Sequence, residues 1–338
     1  MNFHATAKRC VKSVLRGGGL LRLAGRVVPP AVTILRYHSV QDEPEHYANS
    51  IGAGIIHPTP VFSEQMELLT REYNPVTLDD ILAFVHGEKR LPRDSVAVTF
   101  DDGFADNFEV AAPVLSRFGI RATFYVTVSS IEGPTPLWFC RLRHAFHTTQ
   151  LKTWFDSADG CARHVSDAAE RKAAFLVASK RCARSAGYSQ EQILTNIERE
   201  LEVDPLSARD CPMLSWDQIR GLHHAGHIVG SHTLTHPNLA CVGDDDLQGE
   251  LIESKNKLER QLGVPAVHFS YPSPIMQPHF TERTVVFTRQ AGYQTAVTCI
   301  PRPIRRGDDP WCFGRISVPC DRQEYLWSLG CTPLGCRT

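Results

Sequence analysis

Four residues in this chain have the types and the spacing to do chemistry together. Asp101 and Asp102 are adjacent and end an apolar run, Val96 to Phe100. His232 and His236 are four apart and follow a second run read as a strand, His227 to Gly230. Two carboxylates at the end of a buried strand are costly unless paired or metal-bound. Successive strand side chains alternate faces, so the two carboxylates point apart. One can bind a metal while the other faces a substrate. Two histidines and a carboxylate from elsewhere make three ligands, which leaves room for water and substrate. Each motif alone is weak. Asp-Asp-Gly is common turn chemistry, and histidine pairs are frequent in a chain with 15 histidines. His223, His224 and His227 read as a solvated helix end or strand edge.

In combination the motifs say more. Thr99-Phe100-Asp101-Asp102-Gly103 followed by Ser231-His232-Thr233-Leu234-Thr235-His236 resembles the signature of the polysaccharide deacetylases, the NodB-homology family also known as carbohydrate esterase family 4. The resemblance covers roughly residues 34–128 and 214–318. It implies an α/β fold, a distorted (β/α) barrel of about seven strands, with its site at the C-terminal strand ends. It implies metal-assisted hydrolysis of N-acetyl groups on amino sugars. Asp102, His232 and His236 are then the metal ligands and Asp101 the general base. Zinc suits a mixed nitrogen–oxygen set, which does not select strongly against cobalt or nickel. In the branch acting on poly-N-acetylglucosamine, a Tyr-His pair on the first strand supplies the general acid, and Tyr37-His38 matches that pair. No histidine follows His279, so the usual C-terminal histidine of the family is missing. His38 is therefore expected to protonate the departing amine.

A third motif departs from the family pattern. Phe269-Ser270-Tyr271-Pro272-Ser273-Pro274 is similar to the Phe-x-Tyr-Pro-x-Gly form. Tyr271 and Ser273 are assigned to oxyanion and substrate contacts. Pro274 stands where glycine is usual and restricts Ser273 to extended backbone, so a displaced oxyanion donor is expected. Ser270 replaces an arginine that tethers the base in other branches. Arg315, on the last strand, is a candidate tether or substrate contact, weighed evenly against a structural role.

The elements that must position these residues can be read from pattern. Ala31 to Val40 reads as a strand ending near His38, and Gln41 to Pro60 as a loop. Helices are expected over Phe62 to Tyr73 and Leu78 to His86, the second capped by Thr77 and stopped by Gly87. Arg121 to Val128, Ala266 to Tyr271, Gln294 to Cys299 and Arg315 to Val318 read as further strands, with helices between them. That alternation implies parallel pairing through helical crossovers. Ser215 and Gln218 look like a capping box, and Leu247, Leu251, Leu258 and Leu262 share one helix face. Barrel segments are assigned to 31–133 and 213–325, with a helical insertion at 134–212 and a C-terminal tail at 326–338. Within the insertion, Val165, Ala169, Ala173 and Leu176 fall at helical spacing. Trp138 and Phe139 are expected to pin the insertion. It carries none of the ligands and is expected to govern substrate choice.

Composition sets the remaining bounds. With 338 residues the chain can bury a large core, and 42% apolar with 22% charged residues is ordinary for a soluble domain. A formal net charge of −1 argues against nucleic acid as the main partner. Eleven cysteines without a C-x-x-C pair argue for free thiols and a cytoplasmic location. Residues 1–30 are basic but interrupted by Gly17-Gly18-Gly19, so neither a signal peptide nor a membrane span is read there. Peripheral contact with an anionic membrane is the alternative to simple packing. Three functions compete: an N-acetylated-glycan deacetylase, a glycan-binding member without turnover, and a hydrolase of a non-sugar amide.

Overall fold

The computed structural model describes residues 29–133, 135–273 and 277–334. The basic segment expected at 1–30 and the effect expected of Pro274 therefore fall almost wholly or wholly outside the described residues.

Seven parallel strands carry the architecture. They are β1 (Val32–Tyr37), β2 (Ser95–Phe100), β3 (Thr123–Val126), β4 (Ile228–Ser231), β5 (His268–Ser270), β6 (Thr295–Val297) and β7 (Ile316–Ser317). Their order in the sheet is β6-β5-β4-β3-β2-β1-β7, curled into a half-barrel. This is the distorted (β/α) barrel expected, and Val297 of β6 bridges in parallel to Phe313, just before β7. The two-residue strand Asn74–Pro75 pairs alongside β2. β2 and β3 are buried at every position, as parallel strands covered on both faces must be. Alternation then feeds two cores. Leu35, Tyr37, Val98, Phe100 and Phe124 join one, while Ile34, Ala97, Tyr125 and Phe313 join the other. Gly230 in β4 is required by close packing, since a Cβ there would come within 2.6 Å of the Tyr125 ring and 2.8 Å of the His268 carbonyl.

Helices cover the strands between crossovers. α1 (Thr59–Glu72) and α2 (Leu78–His86) precede β2, and α3 (Ala112–Arg117) follows it. Thr77 caps α2 in a full capping box, and Gly87 closes it at φ +82°. The loop expected over 41–60 holds a short parallel pairing of Ser39–Gln41 with Ile56–Pro58.

Between β3 and β4 lie α4 (Trp138–Thr148), α5 (Ala168–Ala183) and α6 (Gly187–Glu200), with an antiparallel pair, Thr153–Asp156 and Cys161–His164. They form their own core from Trp138, Phe146, Trp154, Ala178, Cys182 and Leu194 among others. The expected α5 face is corrected. Ala169, Ala173 and Leu176 are exposed, whereas Ala174, Ala178 and Cys182 are buried. The small residues allow close approach to α4, so the tight face is alanine-lined rather than leucine-lined.

The final helices are α7 (Trp216–His224), α8 (Asp244–Leu262), α9 (Glu282–Gln290) and α10 (Arg322–Cys331). The tail expected from 326 is corrected by α10, whose Tyr325, Leu326 and Leu329 are buried in the main core. His227 is also corrected. It is 5% exposed, and its Nδ1 accepts the Ala122 N–H at 3.1 Å, which joins β4 to the start of β3. No helix among the described residues is long and apolar enough to cross a membrane.

Candidate active site

The site forms where β1, β2, β4, β5 and β7 end. The Asp101 N–H donates to the Tyr37 carbonyl at 3.1 Å, which extends the β1–β2 pairing by one residue. The chain then turns sharply, with Asp102 at φ +79° and Gly103 at φ +88°. Asp102, Thr233 and His236 are three of the five non-glycine residues with positive φ among those described. Such backbone costs about 1–3 kcal/mol per residue and persists where surroundings over-determine it.

The two adjacent carboxylates do point apart. Asp101 is 2% exposed and receives both ends of the Arg315 guanidinium, Nη1 to Oδ1 and Nη2 to Oδ2, each at 2.7 Å. Arg315 also donates to Thr99 Oγ1, to Ser270 Oγ and to the Thr298 carbonyl, so it is fully engaged. Ser270 Oγ is 3.3 Å from Asp101 Oδ1. Burial alone pushes the Asp101 carboxyl up, but the Arg315 charge outweighs it and holds the group well below the usual carboxylate range. Of the roles weighed for Arg315, the geometry is that of the tether. At 1% exposure with every N–H engaged it is not a substrate contact, which corrects that assignment.

Asp102 faces the histidines. Its Oδ1 lies 3.4 Å from His232 Nε2 and 3.5 Å from His236 Nε2. The two imidazole centroids are 4.8 Å apart, and all three residues are buried. The His232 Nδ1–H donates to the Ser270 carbonyl at 2.8 Å, which leaves Nε2 as the free lone pair. The Nε2–Oδ1 separations exceed the ordinary N–H···O range of roughly 2.7–3.2 Å. They match the ~3.4 Å between donors that each bond one tetrahedral ion at ~2.1 Å. The donor set thus fits a divalent ion. Burial acts against the Asp102 charge, but the two histidines hold its carboxyl well below its ordinary value, and burial pushes the His236 imidazole down.

Two acidic residues with no role in the sequence reading hold these loops. Glu250, buried on α8, accepts the Leu234 and Thr235 N–H groups at 2.8 Å each and the Thr235 hydroxyl. Burial raises its carboxyl to about 6. It fixes the loop between His232 and His236. Asp106 accepts from Ser39 Oγ, the Val40 N–H, Gln41 Nε2 and Asn107 Nδ2. Asn107 Nδ2 also donates to the His38 carbonyl at 2.7 Å. Together they clamp the end of β1 to the Asp-Asp turn. The only signal in the sequence is an acid inside a leucine face, Leu247-x-x-Glu250-Leu251, and the Asp-Asn pair that follows the turn.

His38 is half-buried at the end of β1, within the field of both aspartates. Loss of water outweighs that field and lowers its imidazole to about 4. Tyr271 is not brought to the site, which corrects the assignment. Ser270 faces Asp101, so strand alternation turns Tyr271 the other way. Its ring stacks on Phe280 at 4.8 Å, its hydroxyl donates to the Trp311 carbonyl, and its N–H donates to the Val297 carbonyl. Ser273 is half-buried just beyond β5. Trp138 Nε1 donates to the His236 carbonyl at 3.0 Å, and the Phe139 ring lies 5.1 Å from that of His236.

Comparison with known proteins extends this picture. A family model described as polysaccharide deacetylase matches residues 88–296, more than half of the chain. The YxkH protein of Bacillus subtilis (strain 168) is 21% identical over 291 residues, covering 86% of this chain and 72% of its own. Among solved structures, a Streptococcus pyogenes deacetylase, PplD, in complex with acetate superposes with a TM-score of 0.58 at 18% identity, covering 88% of this chain and 97% of that one. IcaB from Ammonifex degensii gives 0.57 at 19% identity, covering 89% and 97%. These two likenesses are of fold.

Proposed function

Because the chain belongs to the polysaccharide deacetylase family, we propose that it is a metal-dependent hydrolase that removes N-acetyl groups from a glycan. The observation that carries this reading is the separation of Asp101 from Asp102. One carboxylate is paired with Arg315, and its neighbour faces two imidazoles. Asp102, His232 and His236 would hold the ion, zinc, cobalt or nickel. A divalent cation there supplies Lewis acidity toward the acetyl carbonyl and lowers the pKa of water.

The chain's own groups do the rest. Arg315 and Ser270 keep Asp101 ionised and aimed, and Asp101 takes the proton of the attacking water. His38 is neutral near pH 7, since its imidazole is lowered to about 4. The proton it hands to the departing amine is therefore one it acquires after substrate has bound. The Ser273 N–H, between Pro272 and Pro274 that have none, would be the donor toward the developing oxyanion.

A second reading has one observation in its favour. A carboxylate held so low by Arg315 is a weak base, which suits a glycan-binding member without turnover. Acetate release separates the readings. Metal-free and metal-restored protein is assayed on poly-N-acetylglucosamine, chitooligosaccharides and small acetamides. Release from a glycan that depends on restored metal supports the proposal. No release from any of them leaves the binding reading, and release from small acetamides alone makes the enzyme a non-sugar amidase.

A further inference from the structure

The insertion contains a cavity of about 470 Å³ that the proposed chemistry does not use. α4 connects it to the metal loop. Trp138, at the start of α4, bonds the His236 carbonyl, and Arg143, five residues on, lines the cavity. At 1.5 Å per residue the two lie ~7–8 Å apart along the helix axis.

Arg143 is the unusual residue there. Its guanidinium lies over the Phe175 ring at 5.1 Å. On another side it packs against Gly52, where a Cβ would come within 2.9 Å of Cζ. Among the described residues it makes no hydrogen bond and no ion pair. Nε is fully buried without a partner, while the residue as a whole is half-buried and lines the cavity. The other buried and half-buried arginines of the insertion are all satisfied. Arg141 pairs with Glu191 and Glu198, Arg163 and Arg181 with Asp156, and Arg171 donates to three carbonyls. Burial lowers the Arg143 pKa, with no carboxylate beside it to offset the effect. A half-buried guanidinium without an anion is costly, and an incoming anion removes that cost.

The rest of the lining agrees. Lys172 and Arg171 add positive charge. Asp167 is the one acid in the lining, and its Oδ1 accepts the Ala169 and Glu170 N–H groups at the start of α5. Phe175, half-buried and backed by the buried Phe146 at 6.3 Å, supplies an apolar wall for the body of a sugar.

We propose that this cavity is a subsite for an anionic group, carboxylate or phosphate, carried on a sugar, with Arg143 and Lys172 as its ligands. The inference rests on the glycan reading above for the identity of the body that carries the anion. Calorimetric titration of the full chain, without metal, tests it with glucuronate, glucose 6-phosphate, inorganic phosphate and neutral N-acetylglucosamine. A charged sugar should bind with a Kd on the order of 1 mM or tighter, and the neutral sugar should not compete. Arg143→Met should weaken binding roughly 10-fold or more, the usual worth of a charged hydrogen bond. Lys172→Gln, an exposed change that spares the fold, should weaken it less but measurably. A preference between the two charged sugars identifies the anion, and inorganic phosphate binding as well as either sugar would overturn the sugar-borne form. Absence of binding, or equal binding by Lys172→Gln and wild-type protein, would overturn the subsite. The readout needs neither metal nor turnover, so its failure is distinct from a failure to release acetate.

Discussion

At the residue scale, the site works by giving two neighbouring carboxylates opposite partners. The division was legible from strand alternation, although both residues lie just past β2. It is the left-handed turn at Asp102, φ +79°, that carries the second carboxylate away from the first. The Arg315 tether was half-legible, since its strand was evident but its partner, 214 residues away in sequence, was not. Tyr271 was misplaced because the motif places it next to the site while alternation turns its ring into the core. His38 carries the sharpest residue-level prediction. An amine departs poorly without a proton, whereas an activated ester has an undemanding leaving group. His38→Ala should cost on the order of 10²–10⁴ in amide hydrolysis and much less on an activated acetyl ester. Equal losses on both, with the fold intact, would make His38 structural.

At the element scale, loops held by distant acids position the ligands. Capping boxes at Thr77 and Ser215 could be read directly, because both partners lie within one turn. Glu250 could not, because its partners are backbone amides of another loop. The α5 face was misread for a different reason. In an alanine-rich helix every face looks apolar, and packing against α4 selects the smallest one. Glu250→Gln keeps the size of the side chain but removes one acceptor from the Leu234–Thr235 loop. Metal affinity should then fall roughly 10–100-fold, the usual effect of an outer-shell partner. Turnover at saturating metal should stay near that of the parent protein. A Kd from competition with a chromogenic chelator measures this, and an unchanged Kd would mean the loop is rigid without Glu250.

At the scale of the whole molecule, strand–helix alternation predicted parallel strands with helical crossovers and the family resemblance implied the distorted barrel, while the hairpin inside the insertion left no periodic signal. The buried histidines give the molecule a pH dependence. His57 is 3% exposed, its Nε2 donates to the Val318 carbonyl at 3.0 Å, and burial lowers its imidazole to about 4. An unfolded histidine titrates near ~6.5, so the unfolded chain binds this proton first. The contribution of His57 is complete above pH ~6.5 and is lost as pH falls through about 4, at most about 3 kcal/mol. Urea unfolding at pH 7.5 and 4.5 should therefore show the stability advantage of the parent over His57→Gln shrinking at the lower pH. A constant difference would place His57 among ordinary, solvated imidazoles. The central claim, that one aspartate holds metal while its neighbour moves a proton, meets its most direct test in metal content. Purified Asp101→Asn, Asp102→Ala and parent protein are compared by atomic emission after loading with zinc and desalting. Asp102→Ala should emerge without metal. Asp101→Asn should keep about one ion per chain yet release no acetate. Metal lost from Asp101→Asn as completely as from Asp102→Ala would contradict the assignment.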